Sequence, residues 1–193
     1  MKYGFDLDDT LCDTASVINE YAVKYDIEVL NGNGLLNESN DSKDYYYFIN
    51  GLNWSREDIK NFFDKYYLEI ISKVKIKSYV KDTINRLKKE NNKVYVITAR
   101  RQRENNIVER ITSRWLLDNG ITIDGLFINV TQKSDLVKKL NIDVFVDDSY
   151  DTCLEVKNKT KAKVYIMKTK YNEGIIDNSL SSIESIQELI KDK

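Results

Sequence analysis

The chain has 193 residues, enough for one domain, or one domain carrying a sizeable insertion, around a core of its own. Hydrophobic residues make up 41% and charged residues 32%, as in ordinary soluble globular proteins, and a formal net charge of −1 gives no long-range attraction to a nucleic acid polymer or an anionic membrane. Histidine is absent, which excludes imidazole bases and histidine-ligated metals, and two cysteines, Cys12 and Cys153, fit a reducing, cytoplasmic setting better than a disulfide framework.

No apolar run approaches membrane-spanning length, and the opening residues lack the basic head and apolar middle of a signal peptide. With no proline in the chain, turns fall to Gly, Asn and Asp. A short apolar run ending at Phe5 predicts a buried strand, and Asp6, Asp8, Asp9 and Thr10 follow it directly. Carboxylates so crowded repel one another unless a cation sits among them. Mg²⁺ suits that place, because it takes oxygen ligands and leaves positions for phosphate oxygens. The alternative is an acidic cap for the next helix, which Asp13 or Thr14 supplies unaided.

Ala15, Val17, Ile18, Tyr21, Ala22 and Tyr25 recur at helical spacing and predict a helix over residues 14–25. Residues 31–44, rich in Gly, Asn, Ser and Asp, read as a loop or hinge. Tyr45, Tyr46, Tyr47, Phe48 and Trp54 come next and offer either a stacking surface for a nucleobase or a small core of their own. Ser55 with Asp58 signals the start of a strong helix whose apolar face is Ile59, Phe62, Phe63, Tyr66, Tyr67, Ile70, Ile71 and Val74.

Strands and helices then alternate. Helices are predicted around Val80–Leu87, Ile107–Leu116 (stopped by Asn119-Gly120), residues 134–140, residues 150–157 and, last, residues 183–190. Strands are predicted at Val94-Tyr95-Val96-Ile97, Leu126-Phe127-Ile128, Val144-Phe145-Val146 and Val164-Tyr165-Ile166-Met167. Uninterrupted apolar strands joined by helices imply an α/β fold with a parallel sheet covered on both faces. In such sheets ligands bind outside the carboxyl ends of the strands. Polar residues at those ends are Asp6, Asp8 and Thr10, then Thr98 and Arg100, then Asn129, Thr131 and Lys133, then Asp147, Asp148 and Asp151.

In that order, Asp6-Leu7-Asp8-Asp9-Thr10, Thr98, Lys133 and Asp147-Asp148 resemble the four motifs of the haloacid-dehalogenase-like phosphohydrolase superfamily. The match spans about residues 3–151. The strings Phe5 to Thr14 and Val96-Ile97-Thr98-Ala99-Arg100 look most like the branch of 5'(3')-deoxyribonucleotidases and related nucleotidases. The resemblance implies a Rossmann-like three-layer core with a five-stranded parallel sheet, formed by residues 1–14 and 80–193. It also implies a small helical cap, residues 15–79, inserted after the first strand.

It further implies that Asp6 is the nucleophile of a Mg²⁺-dependent phosphomonoesterase, acting through an aspartyl-phosphate on a nucleoside monophosphate, and that Asp8 is the acid and base. The metal falls to Asp6, to the backbone carbonyl of Asp8 and to Asp148, with Asp147 close behind; Thr98 and Lys133 take the phosphoryl oxygens. Thr10 and Arg100 join the phosphate or substrate contacts, Arg100 through its forked donors, and Asp151 braces Lys133 or the water around the metal. With no histidine in the chain, an aspartate carboxylate is also a sensible nucleophile, since an aspartyl-phosphate splits phosphate-ester cleavage into two steps.

Rival readings are a phosphatase for another small phosphate ester such as a sugar phosphate, and a non-catalytic phosphoacceptor or nucleotide-binding module. Receiver domains also combine aspartates, Thr, Lys and Mg²⁺, but their acidic pair precedes the acceptor aspartate, whereas here it comes last. Nothing in the sequence indicates a homo-oligomer.

Overall fold

The structure is a computed structural model that describes residues 1–34, 52–175 and 177–190. Two compact units divide the chain: Met1–Asp13 with Lys75–Lys193, and Thr14–Val74. Lys75–Tyr79, expected with the inserted cap, fall in the larger unit because β3 (Lys75–Ile76) pairs antiparallel with β2 (Cys12–Asp13).

In the larger unit a parallel six-stranded sheet runs in the order β5-β4-β1-β6-β7-β8. Its strands are β1 (Lys2–Phe5), β4 (Lys93–Ile97), β5 (Gly125–Phe127), β6 (Val144–Asp147), β7 (Lys163–Met167) and β8 (Ser181–Ile183). The apolar runs supply its core: Phe5, Val94, Val96, Ile97, Phe145 and Val146 are wholly buried. Gly4 leaves no room for a side chain, since a Cβ there would lie 3.1 Å from the Phe145 ring and 3.3 Å from Ile142. Helices α3 (Val80–Lys89), α4 (Ile107–Asp118), α5 (Lys133–Leu140) and α6 (Tyr150–Lys159) make the crossovers between strands. Helix α4 ends as its sequence predicts, with Gly120 at φ +66° and its N–H donating to Leu117 O at 2.9 Å.

The sixth strand corrects the expectation of five. Leu180, Ile183, Ile186 and Ile190 are spaced like a helical stripe, yet β8 pairs with β7 and the Lys168 N–H donates to Ile183 O at 2.9 Å. Only a short 3₁₀ segment, Ile186–Ile190, remains of the predicted closing helix, and it still buries Ile186 and Ile190. Among the described residues, seven of the nine non-glycine positions at positive φ are asparagines, the residue that tolerates this conformation best where Gly is scarce and Pro absent.

The smaller unit holds α1 (Thr14–Glu28) and α2 (Arg56–Lys73). Ser55 and Asp58 form a complete capping box at the start of α2. Tyr25 meets Phe62 edge-on at 5.6 Å and Trp54 at 5.3 Å, and the Trp54 indole N–H donates to Asp26 at 2.8 Å. Trp54 therefore belongs to the core of this unit. Tyr45, Tyr46, Tyr47 and Phe48 lie outside the described residues.

At the edge opposite the strand ends of interest, Asp124 gathers Lys88, Lys93 and the Val94 N–H. Burial works against its charge, but the hydrogen bonds from Lys88, Val94 and Lys93 outweigh it and hold the carboxyl at about 2. A carboxyl depressed on folding stabilises above its unfolded pKa, and that stability disappears as pH falls through the folded value. Asp124→Asn should thus cost about 1–2 kcal/mol above pH 5, with the deficit closing between about pH 4 and pH 2. Urea denaturation of both proteins across that range checks it; a deficit independent of pH would remove the charge from the explanation.

Candidate active site at the carboxyl ends of the strands

Because β5, β4, β1 and β6 are parallel neighbours, the segments leaving them emerge side by side. The segment after β1 is anchored at once: the Asp6 N–H donates to Val146 O at 2.9 Å, and the Leu11 and Cys12 N–H groups both turn back to Leu7 O. Asp9 sits at φ 55°, and the Lys77 ammonium donates to its carbonyl. This tight turn places Asp6, Asp8 and Thr10 near the ends of β4 and β6.

Lys133, the first residue of α5, is buried between two carboxylates. Its ammonium donates to Asp6 Oδ1 and, at 2.7 Å, to Asp147 Oδ2. Burial opposes its charge, but Asp147 and Asp6 more than compensate and keep the amine charged far above its ordinary range. Asp147 also accepts the Ser149 N–H at 2.9 Å. Asp148 is pinned through both oxygens, by the Thr10 hydroxyl at 3.0 Å and by the Tyr171 phenol. Burial first, then the charge of Asp147, lifts its carboxyl to about 7, with the Tyr171 hydrogen bond pulling the other way. Asp6 is likewise raised well above the usual carboxylate value by burial; Lys133 opposes this, while Asp147, Asp148 and Asp8 reinforce it.

Asp8 differs from the crowded carboxylates. It accepts a fork from Arg100, Nε to Oδ2 at 2.9 Å and Nη2 to Oδ1 at 2.7 Å, while Nη1 donates to Thr112 Oγ1 at 3.1 Å. Arg100 is 4% exposed. Arg100, expected on the phosphate or substrate rim, has its fork on Asp8 and Thr112. Thr10, expected in the same contacts, is wholly buried with its hydroxyl donating to Asp148. Thr98 is buried at the end of β4, and its hydroxyl oxygen accepts the Arg100 N–H at 3.1 Å, leaving its hydrogen to donate. Asp151 is exposed on α6, and the bracing of Lys133 comes from Asp6 and Asp147.

Two residues that the sequence reading missed complete the cluster. Besides Tyr171, the buried Asn172 donates through its amide to Asp148 O and Met167 O, both at 2.8 Å. They lie beyond β7, one strand further than the strand ends considered in the sequence, and only their position after that strand hints at a role.

One carboxylate oxygen from each of Asp6, Asp147 and Asp148 lies within 4.8 Å of the others. Among the described residues the ammonium of Lys133 alone is paired with these buried carboxylates, and burial first, reinforced by their mutual repulsion, raises Asp6 and Asp148. An all-oxygen set with surplus negative charge fits a hard divalent cation.

A parallel α/β fold that gathers buried aspartates and a lysine at a common edge offers a place for a cation and a phosphate group. The sequence model of the haloacid dehalogenase-like hydrolases matches residues 4–118. A nucleotidase from Clostridium acetobutylicum is 32% identical over 136 residues, 70% of this chain and 68% of that protein. Two solved structures share the fold: a predicted phosphoglycolate phosphatase from Haemophilus somnus (TM-score 0.66, 16% identity, 98% and 96% of the two chains) and a haloacid-dehalogenase-superfamily hydrolase from Geobacter sulfurreducens (0.65, 15%, 98% and 97%). The chain belongs to the haloacid dehalogenase-like hydrolases, and it is a phosphatase.

Replacing Lys133 by methionine keeps most of the side-chain volume and leaves Asp6 and Asp147 buried without their cation. The expected loss is about 3–5 kcal/mol, read from urea denaturation in the presence of a chelator. A loss below about 1 kcal/mol would mean that the ammonium does not hold these loops together.

Proposed function

We propose that the protein is a Mg²⁺-dependent phosphomonoesterase of the cytoplasm that hydrolyses nucleoside monophosphates, deoxynucleotides included. The observation that carries the reading is the ammonium of Lys133 between Asp6 and Asp147, with Asp148 beside them. The nucleotide preference is supported by the similarity to the clostridial nucleotidase. The cytoplasmic setting is supported by two buried cysteine thiols, Cys12 and Cys153, and no helix among the described residues is long and apolar enough to cross a membrane.

The Asp6 carboxylate attacks phosphorus, forming an Asp6 O–P bond as the ester P–O bond breaks and the leaving alcohol takes a proton from Asp8. Water then gives a proton to Asp8 and attacks the aspartyl-phosphate, which releases phosphate and restores Asp6. Lys133 and the Thr98 hydroxyl bind phosphoryl oxygens, and Lys133 keeps the acidic cluster together between turnovers. Arg100 orients Asp8 through its fork, with Thr112 fixing the guanidinium from behind. Mg²⁺, held by Asp6, the Asp8 carbonyl and Asp148 with Asp147 close by, would neutralise charge on the transferring phosphoryl group. The inserted unit of residues 14–74 is the cap in this reading.

Phosphate release from a panel of nucleoside monophosphates, sugar phosphates and phosphoglycolate, with Mg²⁺ present, tests the substrate class. Nucleotides should lead; equal or faster turnover of a sugar phosphate would replace the nucleotidase reading with the other phosphatase. Asp6→Asn should abolish turnover while preserving the fold, because it removes the attacking oxygen and also relieves repulsion. Asp8→Asn should retain Mg²⁺ binding through the backbone carbonyl and slow turnover by about 10²–10⁴-fold, as loss of a general acid does. An unchanged rate in the metal-replete Asp8→Asn protein would take Asp8 out of the mechanism.

A further inference from the structure

The metal-binding half of the site is held in place from a strand end that contributes neither nucleophile nor phosphate ligand. Asp148 hangs from the end of β6, and each of its carboxylate oxygens carries one hydroxyl donor: Thr10 on Oδ1, from the turn after β1, and Tyr171 on Oδ2, from the loop after β7. A carboxylate oxygen has two lone pairs, so each donor leaves one for a cation while fixing the plane of the group. The next residue secures the backbone. Asn172 bridges the carbonyls of Asp148 and Met167 through its amide, and its own oxygen accepts the Thr169 N–H at 2.9 Å. Asn172 is 6% exposed, and its amide thereby fastens the loop after β7 to the loop after β6.

We propose that Tyr171 and Asn172 are positioning residues for the divalent cation, acting through Asp148: Tyr171 sets the orientation of its carboxylate and Asn172 sets its backbone. This deepens the Mg²⁺-dependent reading above and rests on it. The loop after β7 then works as a fifth segment of the site. Carboxylates that coordinate metals depend on such outer hydrogen bonds, and losing one typically weakens metal affinity about 10–100-fold.

The test is calorimetric titration of the metal-free protein with Mg²⁺. Tyr171→Phe removes one oxygen and keeps the ring, so circular dichroism and cooperative unfolding should match the unaltered protein. Its Mg²⁺ dissociation constant should rise about tenfold. Saturating Mg²⁺ should also restore phosphate release to near the original kcat, a rescue that a general packing defect would not show. Asn172→Ala, which frees the Asp148 carbonyl without touching its carboxylate, is the second arm and should weaken Mg²⁺ binding in the same direction. Unchanged affinity in both variants overturns the proposal while leaving the phosphatase reading intact. Absence of Mg²⁺ binding by the unaltered protein overturns the metal reading and this proposal together.

Discussion

The structure depends on one contact above the others, the ammonium of Lys133 between Asp6 and Asp147. Three carboxylates buried at one edge of a sheet repel one another, and water is too remote to screen them. Lys133 offsets part of that repulsion from within, and it does so from the first turn of a helix that packs against the sheet. Burial first, reinforced by the negative charge that Lys133 leaves unbalanced, lifts Asp148 to about 7 and raises Asp6. That residue of charge is what a divalent cation neutralises and what a phosphoryl group, brought in with the cation, can be set against. The same arrangement therefore serves folding and chemistry.

Around this contact, two ion-pair environments keep Asp6 and Asp8 distinct. Asp6 is enclosed with other carboxylates and a single lysine, whereas Asp8, two residues later, faces a guanidinium braced by Thr112. The turn between β1 and β2 makes this possible, because Leu7 O binds two successive N–H groups and directs the neighbouring side chains apart. In the mechanism proposed above Asp6 attacks and Asp8 exchanges protons, and neither role requires an imidazole.

Much of this was legible in the sequence, and the parts that were not share a cause. Strand ends could be found from apolar runs, so Asp6, Thr98, Lys133 and the Asp147-Asp148 pair were picked out before any coordinates. Which group a side chain meets across the cluster could not be found that way. Arg100 and Thr10 were the right residue types near the right place, but each is engaged by an aspartate. Tyr171 and Asn172 lie in a polar loop with no spacing pattern, and their value comes only from β7 lying beside β6. Strand β8 was hidden for a similar reason, since the stripe from Leu180 to Ile190 has helical spacing and only pairing with β7 makes its first part a strand.

The central place of β1 has a bearing on biosynthesis. Phe5 pairs with Val96 on one side and Val146 on the other, so β1 gains its neighbours only after the long stretches of chain that separate them have been translated. Until then Asp6, Asp8 and Asp9 belong to a nascent segment with no fixed lysine beside them. The last pieces to arrive, Tyr171 and Asn172, close the arrangement around Asp148. In the proposed mechanism hydrolysis therefore waits until the segments after β5, β6 and β7 have joined the one after β1, and a fragment that stops short of them carries Asp6 without its partners.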